Sequence, residues 1–322
     1  MRKRRKQRGA ALLIVLLLAA TLSFVALAAM ERTTLAASRT INAGARAEAM
    51  WAAFGVETLT LAAIDEILAQ ENLVMSLDDE WARAPVELPL EGGAARVFLA
   101  DATACFNINS LGVPYEDETG EGAVAEFIRL AGFAGIGEFD ARALAEAIGD
   151  WIDEDANRRP QGAEDNYYSM LASPYRTGNQ HLASVSELRA IKGVTRNVYA
   201  ALKPYLCAVD DAAPMTINVN MLAERHAPVL AAALGPAMTV QAARDVITER
   251  PPGGYATVRD FLSVPAIAAV NPAAQDRFDV VSRYMQARAE IIYDTALFEM
   301  TSTFETGSRK ARLVSRRIGA EE

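Results

Sequence analysis

Five oxygen-bearing side chains lie close together near the middle of the chain: Asp153, Asp155, Asn157, Glu164 and Asp165. Asp153, Asp155 and Asn157 alternate, and Glu164 is the twelfth residue counted from Asp153. This is the spacing at which an EF-hand loop offers oxygen ligands to calcium, a cation that takes about six to eight of them. The sixth position is Arg158, where that loop turns on glycine, and Pro160 restricts the backbone further. A calcium loop of a different shape is therefore expected, with Glu164 and Asp165 both candidate ligands. The plainer use of these residues is a solvated acidic helix end, with Arg158 and Arg159 paired to the carboxylates.

Other chemistry is sparse. His181 and His226 are the only histidines and neither lies in an HExxH pattern; there is no nucleophile elbow and no phosphate-binding loop. Asp153 and Asp155 have the chemistry for acid–base work, but nothing marks a substrate cleft, so the chain reads as a non-enzyme. Cys105 and Cys207 are too few for a cysteine-rich metal framework and suffice for one disulfide if the body is exported; two buried thiols are the alternative. Cys105 is expected after a strand and Cys207 at the end of a helix, so a bridge would tie a helical region to a sheet. Residues 186–194 resemble a helix-hairpin-helix unit, and 255–267 share its rhythm. In an acidic body these are expected to serve compact helix pairing rather than DNA contact.

The elements that position these groups start at the N-terminus. Residues 10–30 are 21 consecutive uncharged positions, which at about 1.5 Å each span roughly the 30 Å of a bilayer core. Arg2, Lys3, Arg4, Arg5, Lys6 and Arg8 precede this run and Glu31 follows it. Positive charge stays cytoplasmic, so a single-pass inner-membrane anchor with a periplasmic body is expected. Subtracting those six cations from the net charge of −9 leaves −15 on the remainder, which repels phosphate backbones; no nucleic-acid partner is expected. From 33 to about 71 there is no proline and alanine is abundant, predicting one continuous helix. A hairpin is predicted at 85–90 and 95–101, and strands at 282–306 and 310–318. Between them, helices are predicted at 124–131, 141–152, 186–191, 197–206, 221–234 and 240–248. Strands flanking helices imply an α+β fold with an all-α insertion.

Gly9 stands between the basic cluster and Ala10-Ala11-Leu12-Leu13-Ile14. This junction resembles the class III signal of type IV pilins and type II secretion pseudopilins, in which prepilin peptidase cuts after the glycine and the apolar helix is retained. Pilins usually carry glutamate as the fifth mature residue; here it is Ile14, and its absence is a habit of the minor pseudopilin K. The segments Phe106-Asn107-Ile108-Asn109-Ser110-Leu111, Asp150-Trp151-Ile152-Asp153-Glu154-Asp155, Gly162-Ala163-Glu164-Asp165-Asn166-Tyr167-Tyr168 and Thr216-Ile217-Asn218-Val219-Asn220 look like that family's signatures, in its order. The resemblance to the type II secretion minor pseudopilin K family (GspK) covers nearly the whole chain. It implies a pilin-like long N-terminal helix on a small antiparallel sheet, with a large helix-hairpin-helix/SAM-like insertion. The expected division is a leader at 1–9, a transmembrane half-helix at 10–30, spine and first strands at 31–111, the all-α insert at 112–278 and final strands at 279–322. It further implies a tip subunit that helps initiate pseudopilus assembly and export. Cleavage is expected between Gly9 and Ala10, calcium in the insert, and the minor pseudopilins I and J as partners, met through Leu12, Leu13, Ile14 and Leu17. Two rivals are a type IV pilus or DNA-uptake minor pilin and a membrane-anchored metal-dependent hydrolase.

Overall fold

The computed structural model describes residues 8–112, 122–270, 275–294, 296–307 and 310–319; the basic residues 2–6 lie outside them. One helix, α1 (Arg8–Leu68, 61 residues), runs unbroken for about 90 Å. No proline interrupts it, and Ala-rich turns carry it beyond the apolar run. After the short α2 (Glu80–Arg83) come β1 (Val86–Leu90) and β2 (Gly93–Asp101).

The chain then leaves the sheet. It forms β3 (Phe106–Asn107), α3 (Ala123–Phe133), α4 (Glu138–Ile152), α5 (Asp165–Tyr168), α6 (Arg196–Leu202) and β4 (Leu206–Cys207). A second stretch holds β5 (Ile217–Asn218), α7 (Ala227–Leu234), α8 (Val240–Thr248), α9 (Val258–Leu262), α10 (Pro265–Val270) and β6 (Phe278–Asp279). The chain returns with β7 (Tyr284–Tyr293), β8 (Ala296–Glu305) and β9 (Arg312–Ile318), completing an antiparallel sheet of order β1-β2-β7-β8-β9. The helical insert, expected to begin at 112, thus departs at Asp101, because β3 pairs with β4 inside the insert and not with the sheet.

Two cores result. In the first, Ala49, Ala53, Val56 and Ile64 on one face of α1 pack on Val97, Met285, Ala287, Ala289, Ile291, Met300 and Phe304 of the sheet; the alanines let the helix lie close to the strands. Glu57, buried on that face, accepts hydrogen bonds from Ser302 and Arg316. The second core fills the insert. A polar junction joins them: Asn218 donates to the Met75 carbonyl and to Ser282, and the Thr103 hydroxyl accepts from the Asn218 amide.

The insert repeats one plan twice, each half bracketed by a two-residue parallel pair, β3–β4 or β5–β6. In the first, Asn107 Oδ1 accepts from the Asn109 amide, and Asn109 grips the N–H and C=O of Leu182 at 2.8 and 3.0 Å. In the second, Asn218 Oδ1 accepts from the Asn220 amide, and Asn220 grips the N–H and C=O of Tyr255 at 2.7 and 2.9 Å. Two residues beyond each gripped position a capping box opens the next turn, Ser184 with Glu187 and Thr257 with Asp260. All four asparagines are buried with both ends of the amide bonded, so they act as anchors.

The Cys105–Cys207 disulfide, Cα atoms 5.7 Å apart, lies beside β3 and β4. Cys207 ends a strand instead of the predicted helix, because Pro204 and a 3-10 turn follow α6. The bridge therefore clasps the entry and exit of the first half-insert, correcting the expectation that it ties helices to the main sheet. The helix predicted at 221–234 is likewise shorter: a 3-10 turn precedes α7, which starts beside Pro228.

In that turn His226 Nδ1 accepts from the Ala223 amide at 3.1 Å, and burial lowers the imidazole's pKa from 6.5 to about 4. Because the folded value lies below the unfolded one, its stabilisation is fully present above about pH 6.5 and is lost as pH falls toward 4. Going from pH 7 to 5 should cost the wild type about 1 to 2 kcal/mol more than His226→Gln, read from denaturant melts at both pH values.

Candidate functional site

The acidic loop hangs from the end of α4, a helix whose apolar face (Ala141, Leu144, Ala145, Ile148 and Ile152) is buried in the insert core. Asp150 lies in its last turn and Asp153 is its C-cap. Two carboxylates at the negative end of a helix are unfavourable without a cation. Asp150, fully buried, accepts from the Arg159 amide at 3.2 Å and so fastens the returning loop. Gly162 permits this closeness, since a Cβ there would sit 1.9 Å from Asp150 Oδ2. Lys192 braces the same loop by donating to the carbonyls of Gln161 and Gly162. Trp151 and Tyr168, rings 5.1 Å apart and edge to face, wall it from behind.

Asp153, Asp155 and Glu164 converge, with one oxygen of each within 4.8 Å of the others. Glu164 is 4% exposed, and its Oε1, like Asp153 Oδ1, is buried without a hydrogen-bond partner. Buried polar atoms are almost always satisfied, so two orphaned carboxylate oxygens within one trio are a marked departure. Burial, and then the neighbouring charges of Asp150, Asp153 and Asp155, push Glu164 up to about 7. Burial also raises Asp150 and Asp153, against the pull of Arg159.

Two sequence candidates stand apart from this trio. Asp165 turns to Thr177, accepting from its amide and hydroxyl at 2.9 Å, and those bonds lower its pKa. Asn157 has an exposed side chain, and its amide donates to Asp155 Oδ1 at 2.6 Å. Of the two arginines, Arg159 pairs with Asp150 and Asp153, whereas Arg158 is exposed. Asp150 and Gly162 join the site without belonging to the alternating set that spacing picks out. Their signal was a carboxylate one helical turn before Asp153 and a glycine at the loop's far end.

Residues 186–194 form a 3-10 turn (Val185–Ala190) that leads through Gly193, at φ +84°, toward α6. Its cations are used internally: Lys192 on the acidic loop, and Arg189 over the Tyr199 ring at 5.8 Å.

The other functional element is the N-terminal part of α1, long and apolar enough to cross a membrane. Gly9 and Ala10 lie within the helix, and Leu12, Leu13, Ile14 and Leu17 are all more than half exposed, as are the apolar residues on every side of this segment. Such a surface requires lipid or other apolar helices around it.

Comparison with known proteins agrees with this architecture. Two domain families, both described as type II secretion system protein K, match residues 104–211 and 217–280, the two half-inserts. Type II secretion system protein K of Pectobacterium carotovorum subsp. carotovorum is 33% identical, with 98% of each chain covered. The protein of the same name from Klebsiella pneumoniae is 32% identical over 98% of this chain and 97% of its own. A solved chain from the GspK-GspI-GspJ complex of the enterotoxigenic Escherichia coli Type 2 Secretion System superposes with a TM-score of 0.76 at 28% identity, covering 88% of this chain and 100% of that one. An exposed apolar half-helix, a pilin-like sheet and two matched half-inserts thus converge with full-length similarity: the chain belongs to the type II secretion system protein K family and is a minor pseudopilin of that system.

Proposed function

We propose that this chain is the tip subunit of the pseudopilus, built to assemble and not to catalyse. Prepilin peptidase would cut between Gly9 and Ala10, leaving residues 10–30 in the inner membrane with the body in the periplasm. The observation that carries this reading is the uncharged apolar surface of α1, exposed on all sides and bearing Ile14 where pilins hold a glutamate. Without that carboxylate the helix has no group to meet the amine of a subunit above it. The insert leaves the sheet at the end where α1 terminates, opposite the membrane half, and its bulk supports the terminal position.

The relative solved with GspI and GspJ supports minor pseudopilins I and J as partners. Full-length chain extracted in mild detergent should co-purify with I and J. Leu17→Arg, which puts a charge in the apolar span at about 2.5 to 3.5 kcal/mol on insertion scales, should reduce that recovery several-fold. Unchanged recovery would count against the helix as the docking surface.

Calcium is the cation that the acidic trio fits best. The donor side chains are all carboxylates, whose oxygens are hard ligands, and two of the three carry a buried oxygen without a partner. Their 4.8 Å spread is about twice a calcium–oxygen distance of 2.3 to 2.6 Å. Asp153, Asp155 and Glu164 would hold the ion, with water completing its shell. Its role is structural: positive charge at the end of α4, fixing the loop that supports α5.

A further inference from the structure

Arg159 occupies a position prepared for it. Its Nη1 lies 3.0 Å from Asp153 Oδ2 and 3.3 Å from Asp150 Oδ1. The side chain is 19% exposed, while those of Asp150 and Asp153 are 0% and 15% exposed. The slot exists because residue 149 is glycine: a Cβ there would stand 1.9 Å from that same Nη1. Arg159 also takes only one side of Asp153. Oδ2 pairs with the guanidinium, and Oδ1 is left buried and unpartnered, on a residue that shares the acidic trio with Asp155 and Glu164.

We infer that Arg159 is a resident counter-cation and positioning residue. It holds Asp150 and Asp153 at the end of α4 in the metal-free chain, and by occupying Oδ2 it leaves Asp153 Oδ1 as the oxygen available to a cation. Four carboxylates (Asp150, Asp153, Asp155 and Glu164) share this corner. With the guanidinium they keep an excess of negative charge for a divalent ion; without it the buried Asp150 has no charge partner, and breaking a buried pair by removing one member is strongly destabilising. Arg159 therefore lets the insert fold before calcium is met. The inference rests on the calcium reading only where calcium rescue is concerned.

The test melts the full-length chain in detergent, in EDTA and in excess calcium chloride. In EDTA, Arg159→Gln should melt about 10 °C below the wild type. Calcium should recover most of that loss, giving the variant a larger calcium-dependent rise than the wild type. Adding Asp150→Asn to Arg159→Gln removes the stranded charge and should restore melting in EDTA toward the wild type. If Arg159→Gln cannot fold in EDTA, this double variant decides: a folded double variant supports the inference and an unfolded one overturns it. Wild-type melting of Arg159→Gln in EDTA, or, where the wild type responds to calcium, a calcium-dependent rise in the variant no larger than the wild type's, also overturns it. A wild type that does not respond to calcium defeats the calcium reading instead, and the EDTA comparison still decides whether Arg159 is the counter-cation.

Discussion

Reduction of the Cys105–Cys207 bridge is expected to destabilise the body by about 4 to 5 kcal/mol, the chain-entropy value for a loop of roughly 100 residues. The bridge closes a sequence separation of 102. For a body of this size the melting temperature should fall by about 8 to 20 °C, and Cys105→Ser with Cys207→Ser should reproduce the fall. The position of the bridge makes the effect regional. It clasps β3 to β4, where the ladder is only two residues long and cannot hold the ends of the first half-insert by itself. Amide exchange after reduction should therefore accelerate over residues 104–211 before it does so in the β1-β2-β7-β8-β9 sheet. Native full-length protein extracted from its membrane should show no reactive thiol until reduced; two reactive thiols, or exchange that accelerates first in the sheet, would falsify the clasp.

The same geometry explains which parts of the fold were legible in the sequence. α1 could be read because its signal is long and unambiguous: an apolar run bounded by charge, then alanine-rich turns without proline. The hairpin around Gly92 and the closing strands were legible from alternation and turn residues. The expected strand region 282–306 resolves into β7 and β8, which turn at Asp294 with φ 51°. β3 to β6 had no such signal, because a two-residue strand has no period. Their burial comes from the paired asparagine grips, which join residues 73 and 35 positions apart. At the acidic loop, alternation picks out Asp153 and Asp155, and the twelfth position Glu164, the three carboxylates that the fold brings together. It erred in scope for Asp165, whose carboxylate is captured by Thr177 at the start of α5, a contact set by how the loop closes and not by spacing. Asp150 was hidden for the opposite reason: it sits inside α4, where an acidic residue usually faces solvent, and only the folded loop shows it buried against the Arg159 amide.

Calcium in hundredfold excess over its Kd should stabilise the full-length chain by about 2.7 kcal/mol, a rise of about 5 to 10 °C in melting temperature, and Asp153→Ala with Glu164→Ala should abolish the rise. The argument turns on what those side chains do without an ion. Asp153 Oδ1 and Glu164 Oε1 are buried without partners, and burial raises the pKa of both carboxyls, so in EDTA their ionised forms oppose folding. The double variant in EDTA should accordingly be no less stable than expected for two small truncations, and its loss should appear only when calcium is present. The sign of the pH dependence follows. Glu164 has a folded pKa raised from 4.5 to about 7, so its contribution to metal-free stability is fully present below about pH 4.5 and is lost as pH rises through 7. Calcium displaces that proton, and metal affinity at carboxylates weakens as they protonate. The calcium-dependent rise should be larger at pH 8 than at pH 5.5. A rise that is equal at both pH values, or that survives the double substitution, would place the ion elsewhere on the chain. No rise in the wild type at either pH would rule calcium out and leave Arg159 as the cation that pairs with Asp150 and Asp153 at the end of α4.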